Sequence, residues 1–180
     1  MKTTSERISI PVGNQKMGAY VARPEGADAY PGVLLFMEIF GINSHIRSVA
    51  DRVAAEGYVV LAPDLFHRDA PGIELGYDQT SLTQGIEIMV KTQPAGILAD
   101  VTAAHAALFN RPDVKGRGVG VIGFCFGGRA AFTAATETPA GRASRTCSTG
   151  RCTATMEPAG IDCMSRPRSA TRRRASWSDS

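Results

Sequence analysis

A cysteine lies between two phenylalanines and their flanking glycines in VIGFCFGG, residues 121–128. A thiolate is a strong nucleophile, whereas a protonated thiol is a poor one. The helical pattern that starts beside Cys125 would direct backbone N–H groups and the positive end of the helix dipole at the sulfur, which favours the thiolate. The same helix start would place the amide of Phe126 where an oxyanion develops during acyl transfer. The segment therefore predicts a nucleophilic cysteine.

The glycines around this cysteine fit a nucleophile elbow with Cys in place of Ser, the pattern G-x-C-x-G. In such a turn the nucleophile is held in a strained conformation between a strand and a helix, and neighbouring Cβ atoms would clash. Gly123, Gly127 and Gly128 are the predicted elbow glycines. A buried structural cysteine is the alternative, because free cysteine is among the most buried residue types. The apolar run before the motif and the helical pattern after it favour the elbow.

A carboxylate follows another apolar run, GVLLFM at residues 32–37, as Glu38. A charged group at the end of a buried strand is costly unless it is paired. The alternative is a solvated loop glutamate. We expect Glu38 to belong to the same site as the cysteine.

Together, the strand-end glutamate followed by IFG, the segment VLAPDLF and the GFCFGG elbow resemble the dienelactone hydrolase (carboxymethylenebutenolidase) family. The resemblance covers roughly residues 6–138 and implies an α/β-hydrolase fold with Cys125 as the nucleophile. It implies that the backbone amides of Phe126 and Ile39 bind the oxyanion. Glu38 would pair with the resting thiol and take its proton when substrate arrives.

The resemblance also implies a small-molecule substrate, an enol-lactone or ester, which is cleaved through a thioester without metal or cofactor. The family's clamp for a substrate carboxylate uses an arginine in the segment after the PDL strand. This chain has no basic residue between Arg68 and Lys91. A general esterase or thioesterase with a cysteine nucleophile is therefore the alternative.

Hydrolases of this fold carry their acid and then their histidine after the nucleophile. All three histidines of this chain, His45, His67 and His105, precede Cys125. His67 follows a strand in a loop and could approach the site. His45 is expected to open a helix, and His105 is expected to be a packed or surface residue of another helix. Asp162 and Asp179 follow the cysteine, but in a stretch that shows no strand pattern.

The elements that must position these residues alternate along the chain. Two N-terminal strands form a predicted hairpin, and buried strands are predicted at residues 32–37, 58–63 and 118–124. Helices are predicted from Asn43 or Ser44 to Gly57, at 80–91, at 96–109 and after the elbow. This alternation predicts an α/β class with a mostly parallel sheet covered by helices on both faces.

The pattern changes near Pro139. Residues 1–139 hold 12 basic and 14 acidic side chains, whereas 140–180 hold eight arginines, three acids and three of the four cysteines. With one Ile and no Leu, Val or Phe, the segment 140–180 is predicted to be disordered. Its composition suggests that the reading frame was lost near residues 136–142. The last strands and the triad acid and histidine would then be missing, and activity would be crippled.

The basic segment also leaves a non-catalytic alternative, a hydrolase-like domain whose tail binds nucleic acid or an acidic partner. Apart from Trp177, the tail lacks the interleaved aromatic residues that would support nucleic-acid binding. The absence of long apolar runs and of a signal-peptide pattern predicts a cytoplasmic protein without a membrane partner. The oligomeric state stays open.

Overall fold

The computed structural model of the chain describes residues 1–137 and the backbone of 146–148 and 151–155, without the side chain of Arg117. In chain order the elements are β1 Thr3–Val12, β2 Gln15–Pro24, β3 Tyr30–Phe36, α1 Ser44–Ala55, β4 Val59–Pro63, α2 Gln79–Met89, α3 Pro94–Phe109, β5 Val114–Phe124, α4 Phe126–Glu137, β6 Thr146–Ser148 and β7 Arg151–Thr155.

The strands form one sheet in the order β1-β2-β4-β3-β5-β7-β6. Strand β3 pairs in parallel with β4 and β5, so the centre of the sheet is parallel as the alternation of strands and helices predicts. The β1–β2 hairpin joins this centre through an antiparallel pairing of β2 with β4. The described sheet therefore contains both parallel and antiparallel pairs, because the predicted hairpin forms one of its edges.

The central strands are buried on both faces. All five residues of β4 are buried, as are the residues from Val33 to Phe36 of β3. Successive side chains of a strand point to opposite faces, so an unbroken buried run requires cover on each side. Helix α1 packs against β2 and β4, and helices α3 and α4 pack together beside β3 and β5. The predicted layers of an α/β protein are confirmed.

The helices begin and end close to the predicted residues. The side chain of Asn43 accepts a hydrogen bond from the amide of Ile46 and caps α1, as one of the two predicted caps. The predicted apolar face of α3 is buried and consists of Ile97, Val101, Ala104 and Leu108. This apolar face packs into the core.

Within the segment 140–180, the structure describes the backbone of two short strands, β6 and β7, and β7 pairs antiparallel with β5. At these eight residues the backbone forms strands, whereas the composition of the segment predicts no regular structure. The rest of that segment, including Asp162 and Asp179, lies outside the described residues, and disorder of the tail as a whole stays a prediction. In the described part of the chain, every helix is too short or too polar to span a bilayer.

Candidate active site

Cys125 occupies a backbone conformation that residues other than glycine rarely adopt. Its φ is 50°, and among the described residues it is the one non-glycine residue with a positive φ. It is also the single residue between the end of β5 and the start of α4. A strained residue at such a junction persists only where the surroundings enforce it, and it is a recognised sign of a functional site.

Close packing explains two of the glycines beside the cysteine. A Cβ on Gly123 would lie 2.5 Å from the carbonyl carbon of Gly127 and 2.8 Å from the amide nitrogen of Gly128. A Cβ on Gly127 would lie 2.6 Å from the carbonyl carbon of Phe36, at the end of β3. Neither position has room for a side chain, because real Cβ atoms do not approach backbone so closely.

Gly128 differs from these two glycines. A Cβ there would meet nothing closer than the carbonyl oxygen of Gly123 at 3.9 Å, an ordinary van der Waals contact. The steric requirement predicted for three elbow glycines therefore applies to Gly123 and Gly127 alone. Gly128 contributes through its backbone, since its amide donates a 2.9 Å hydrogen bond to the carbonyl of Cys125 and closes the turn.

The thiol of Cys125 is free and exposed. Beside it, Phe126 is buried, and its ring packs 5.5 Å from the ring of Phe66 in the connection after β4. The start of α4 is therefore held in the core by Phe126, while the preceding residue, Cys125, is exposed. This arrangement leaves the exposed cysteine at the N-terminal end of α4, the end at which the first backbone N–H groups of a helix point outward.

Glu38 leaves the sheet at the same edge as the cysteine. Phe36 pairs with Gly123 in the parallel register of β3 and β5, and Glu38 and Cys125 each lie two residues further along. Glu38 is half-buried, and its Oε2 accepts a 2.8 Å hydrogen bond from the hydroxyl of Tyr77. In the described residues, therefore, the carboxylate is bonded to a phenol, whereas the family resemblance implies a contact with the resting thiol.

Ile39 follows the carboxylate and is buried. Its carbonyl lies against α2, where a Cβ on Gly85 would be 2.5 Å from the Ile39 oxygen. Gly85 thus lets α2 approach the strand end and fixes the peptide on the carbonyl side of Ile39. The predicted oxyanion donors, the amides of Ile39 and Phe126, therefore lie on two rigidly packed segments. Their joint role stays a prediction.

Tyr77 is a site residue that the sequence reasoning missed. The centroid of its ring lies 4.6 Å from that of Phe40 and 6.1 Å from that of His45, which it meets at nearly a right angle. Partial burial of the phenol raises the pKa of Tyr77; the nearby Asn43 side chain acts to lower it, and the neighbouring Glu38 carboxylate acts to raise it. The hydroxyl therefore stays protonated at neutral pH and acts as a donor.

His45 opens α1 as predicted, but it also borders the site. It is exposed, and its ring lies 6.4 Å from Phe124, the residue before the cysteine. The imidazole therefore lies between Phe124, which precedes the cysteine, and Tyr77, which is bonded to Glu38. No local pattern in the sequence signals this position, because it depends on contacts between residues far apart in the chain.

His67 does not reach the cysteine. Its side chain is 1% exposed, and its Nε2 lies 3.0 Å from Oδ1 of Asp100, a fully buried residue of α3. Arg68 binds the same carboxylate with hydrogen bonds of 2.6 and 2.7 Å. The Nδ1 atom of His67 is buried without a hydrogen-bond partner in the described residues. In this structure a buried cluster with Asp100 and Arg68 holds His67 in the interior, which does not favour the alternative in which His67 approaches the site.

His105 is a packed helix residue, as predicted. It stacks on Phe109 of the same helix with ring centroids 5.8 Å apart. Burial lowers the pKa of His105, which keeps the imidazole neutral at physiological pH. Neither His67 nor His105 is therefore placed as a base for Cys125.

The described residues contain no group of three His, Cys, Asp or Glu side chains placed to hold a metal ion. The two clefts described on their surface have volumes of about 420 and 300 Å³. The first is lined by Glu6, Arg23 and Arg111, and the second by Arg7, Asp64 and Glu74. Neither cleft includes Cys125, which stands on an open surface of the described residues.

The sequence was compared with known proteins. A model of the dienelactone hydrolase family matches residues 17–147. A curated protein named "Putative carboxymethylenebutenolidase" from Synechocystis sp. is 45% identical over 128 residues, which are 71% of this chain and 51% of that protein. A protein of the same name from Salmonella typhi is 35% identical over 133 residues, which are 73% of this chain and 47% of that protein. The chain spans about half the length of the curated relatives it matches.

The fold agrees with these sequence matches. A crystal structure titled as that of a "Putative Dienelactone Hydrolase" from Klebsiella pneumoniae superimposes with a TM-score of 0.67 and 31% sequence identity. The match covers 77% of this chain and 57% of that one. The described residues thus form part of an α/β-hydrolase fold, with the strained cysteine at its elbow. The chain belongs to the dienelactone hydrolase family.

Proposed function

We propose that the chain is a hydrolase of the dienelactone hydrolase type that cleaves an enol-lactone or ester through Cys125. The observation that carries the proposal is the positive φ of Cys125, held between β5 and α4 by two glycines that tolerate no side chain. A merely structural cysteine has no need of this strain or of an exposed thiol.

In the first half of the reaction, the sulfur of Cys125 attacks the substrate carbonyl carbon. A C–S bond forms, and the carbonyl oxygen becomes an oxyanion that the amides of Phe126 and Ile39 stabilise. The C–O bond to the leaving oxygen then breaks and yields a thioester. The leaving alkoxide or enolate needs a proton, and the proton released by the thiol is the one available in this step.

Glu38 is the proposed acceptor of the thiol proton. Its position two residues beyond the paired Phe36 and Gly123 puts the carboxylate within reach of Cys125 by a side-chain rotation. Because it is bonded to Tyr77 in this structure, Glu38 must turn from the phenol toward the sulfur before it can take the proton.

In the second half, water must attack the thioester, which requires a general base. His67 is bound to Asp100, and His105 is stacked on Phe109. His45 borders the site, but in the described residues it is paired with no carboxylate of the kind that orients a triad histidine, so we assign this step to none of the three. We therefore propose that this polypeptide acylates once and then turns over poorly. Loss of a triad member lowers turnover by several orders of magnitude, on the order of 10³ to 10⁶, even when oxyanion donors remain.

The test is a reaction with 4-nitrophenyl acetate, followed for release of 4-nitrophenolate. A burst in proportion to the protein, followed by slow turnover, is expected. Acetyl should then be found on tryptic peptide 118–129, which contains Cys125 and no other cysteine. Cys125→Ala should lose both the burst and the label. Acetylation of the protein at an unchanged rate in Cys125→Ala would exclude the proposed nucleophile.

A general esterase or thioesterase is the second candidate, and one observation favours it. The partner of Glu38 is the neutral hydroxyl of Tyr77, in a segment that has no basic residue between Arg68 and Lys91. A segment that offers no cation gives little advantage to a substrate carboxylate. Comparing acylation by an enol-lactone that bears a carboxylate with acylation by its methyl ester decides between them. A preference for the acid supports the dienelactone type, and equal rates support the general esterase.

A further inference from the structure

A phenol and a carboxylate face each other at the edge of the site. The hydroxyl of Tyr77 donates to Oε2 of Glu38 at 2.8 Å, across 39 positions of sequence. Tyr77 is 59% exposed, so a ligand arriving from solvent can reach this contact. A hydrogen bond to the charged form of a carboxylate stabilises that form and fixes its direction.

The phenol is held in place by a segment that is pinned to the end of β3 and the start of α1. Glu74 forms ion pairs with Arg7 at 2.7 Å and Arg47 at 2.6 Å. The amide of Leu75 donates to the carbonyl of Phe40, and the side-chain amide of Asn43 donates to the carbonyl of Leu75. These contacts fix the backbone two residues before Tyr77.

The segment is pinned on the other side as well. Asp78, directly after Tyr77, caps α2 by accepting a hydrogen bond from the amide of Ser81. The ring itself packs on Phe40 and against His45. Contacts before and after Tyr77 in the chain thus hold its hydroxyl toward Glu38.

We propose that Tyr77 is a positioning residue for Glu38, and that its hydroxyl holds the carboxylate away from the Cys125 thiol until a substrate occupies the site. The inference rests on the proposed roles of Glu38 and Cys125. Tyr77 competes with the thiol for the same carboxylate, since both are neutral donors that a side-chain rotation of Glu38 can reach. When the carboxylate is on Tyr77, the thiol is free to ionise. When the carboxylate lies beside the thiol with no substrate bound, its negative charge disfavours the thiolate. Transfer of the proton to Glu38 belongs to the acylation step, in which the negative charge develops on the substrate oxygen.

Alkylation of Cys125 by iodoacetamide tests this without any turnover. The sulfur forms a C–S bond as iodide leaves, and the rate follows the thiolate fraction. Mass spectrometry of tryptic peptide 118–129 isolates Cys125 from the other three cysteines. In Tyr77→Phe the ring remains and the hydroxyl is lost. We expect alkylation at pH 7 to slow by roughly three- to tenfold, the effect of a like charge moved next to a titrating group, and the rate-against-pH curve to move to higher pH.

A double-variant comparison separates positioning from a direct effect of the phenol. Glu38→Gln should alkylate faster than wild type, because the charge is gone. Adding Tyr77→Phe to Glu38→Gln should change nothing further, since Tyr77 acts through the carboxylate. The other titratable groups close by are His45 on α1 and Arg129 in the first turn of α4, and both are present in every variant. Their influence therefore cancels.

Tyr20 provides the matched control. Its hydroxyl donates a 2.8 Å hydrogen bond to Asp51, a tyrosine–carboxylate contact of the same length between β2 and α1. Tyr20→Phe should leave the alkylation profile of Cys125 at the wild-type position. The proposal is overturned if Tyr77→Phe alkylates at the wild-type rate, or if it slows the reaction equally in the Glu38→Gln background. A failure of 4-nitrophenyl acetate to acylate Cys125 would count against the proposed function alone, since alkylation does not depend on it.

Discussion

Glu38 and Cys125 each lie two residues beyond Phe36 and Gly123, which face each other in adjacent parallel strands. Adjacent strands are about 4.8 Å apart, so the two functional groups leave the sheet side by side. Helix α4 completes the arrangement, because Gly127 packs directly on the carbonyl of Phe36. The proposed nucleophile, its candidate proton acceptor and the start of α4 therefore lie on elements that pack directly against one another.

The first prediction concerns that frame. Gly127→Ala should destabilise the protein by about 3 kcal/mol, since the new methyl group would overlap the backbone of Phe36 and Met37. Gly128→Ala is the matched control and should stay within about 0.5 kcal/mol of wild type, because a Cβ there has room. Urea unfolding with a common m-value measures both. Equal stability of the two variants would contradict the packing described at the elbow.

The second prediction concerns acid sensitivity at the turn before β5. Two hydrogen bonds from Arg111, of 2.8 and 2.9 Å, lower the pKa of Asp113. The folded state therefore binds this proton more weakly than the unfolded state. The stability that Asp113 contributes is present above the ordinary aspartate pKa and is lost as the pH falls through the lowered value. Asp113→Asn should cost about 1–2 kcal/mol at pH 7 and should flatten the acid side of the stability curve.

Glu6 is the control for this prediction, because it binds the same arginine from a more exposed position. Its side chain is 53% exposed, against 17% for Asp113. Glu6→Gln should change stability by less than about 0.5 kcal/mol and leave the acid limb in place. Urea unfolding between pH 3 and 7 gives both curves. A steep acid limb that survives in Asp113→Asn would assign the acid sensitivity to another carboxyl.

The third prediction separates the buried ion cluster from the chemistry. Asp100→Asn leaves Arg68 without its countercharge and offers Arg68 and His67 one amide oxygen in place of two carboxylate oxygens, and it should cost about 3–5 kcal/mol. The protein that remains folded should still acylate at Cys125 at the wild-type rate, because the cluster lies in the interior. Acylation is compared at a temperature where circular dichroism shows both proteins folded. A tenfold loss of acylation rate in folded Asp100→Asn would return His67 to the mechanism.

Much of the frame follows from local patterns in the sequence. The unbroken apolar runs at β3 and β4 predict strands covered on both faces, and the G-x-C-x-G motif between a strand and a helix predicts the turn at Cys125. These signals are local because burial on both faces and glycine packing leave their mark on consecutive residues.

The contacts that orient the candidate site have no local sequence pattern that would predict them. Tyr77 reaches Glu38 because Glu74 is bound by Arg7 and Arg47, from two other elements. His67 turns inward because α3 brings Asp100 beneath it. Both outcomes depend on how helices and loops pack across the sheet. A single sequence therefore predicts the turn that holds Cys125 better than it predicts what the neighbouring side chains contact.

Because Gly127 packs on Phe36, the reactivity of Cys125 should also report a late step of folding. The two residues are separated by most of the described chain, so the turn at Cys125 can close only after β3 and β5 have paired. Contacts between distant parts of a sequence form slowly, because loop-closure entropy must first be overcome. During refolding, the reactivity of Cys125 should therefore change late, after helix formation detected by circular dichroism, and report the moment at which the centre of the sheet is assembled.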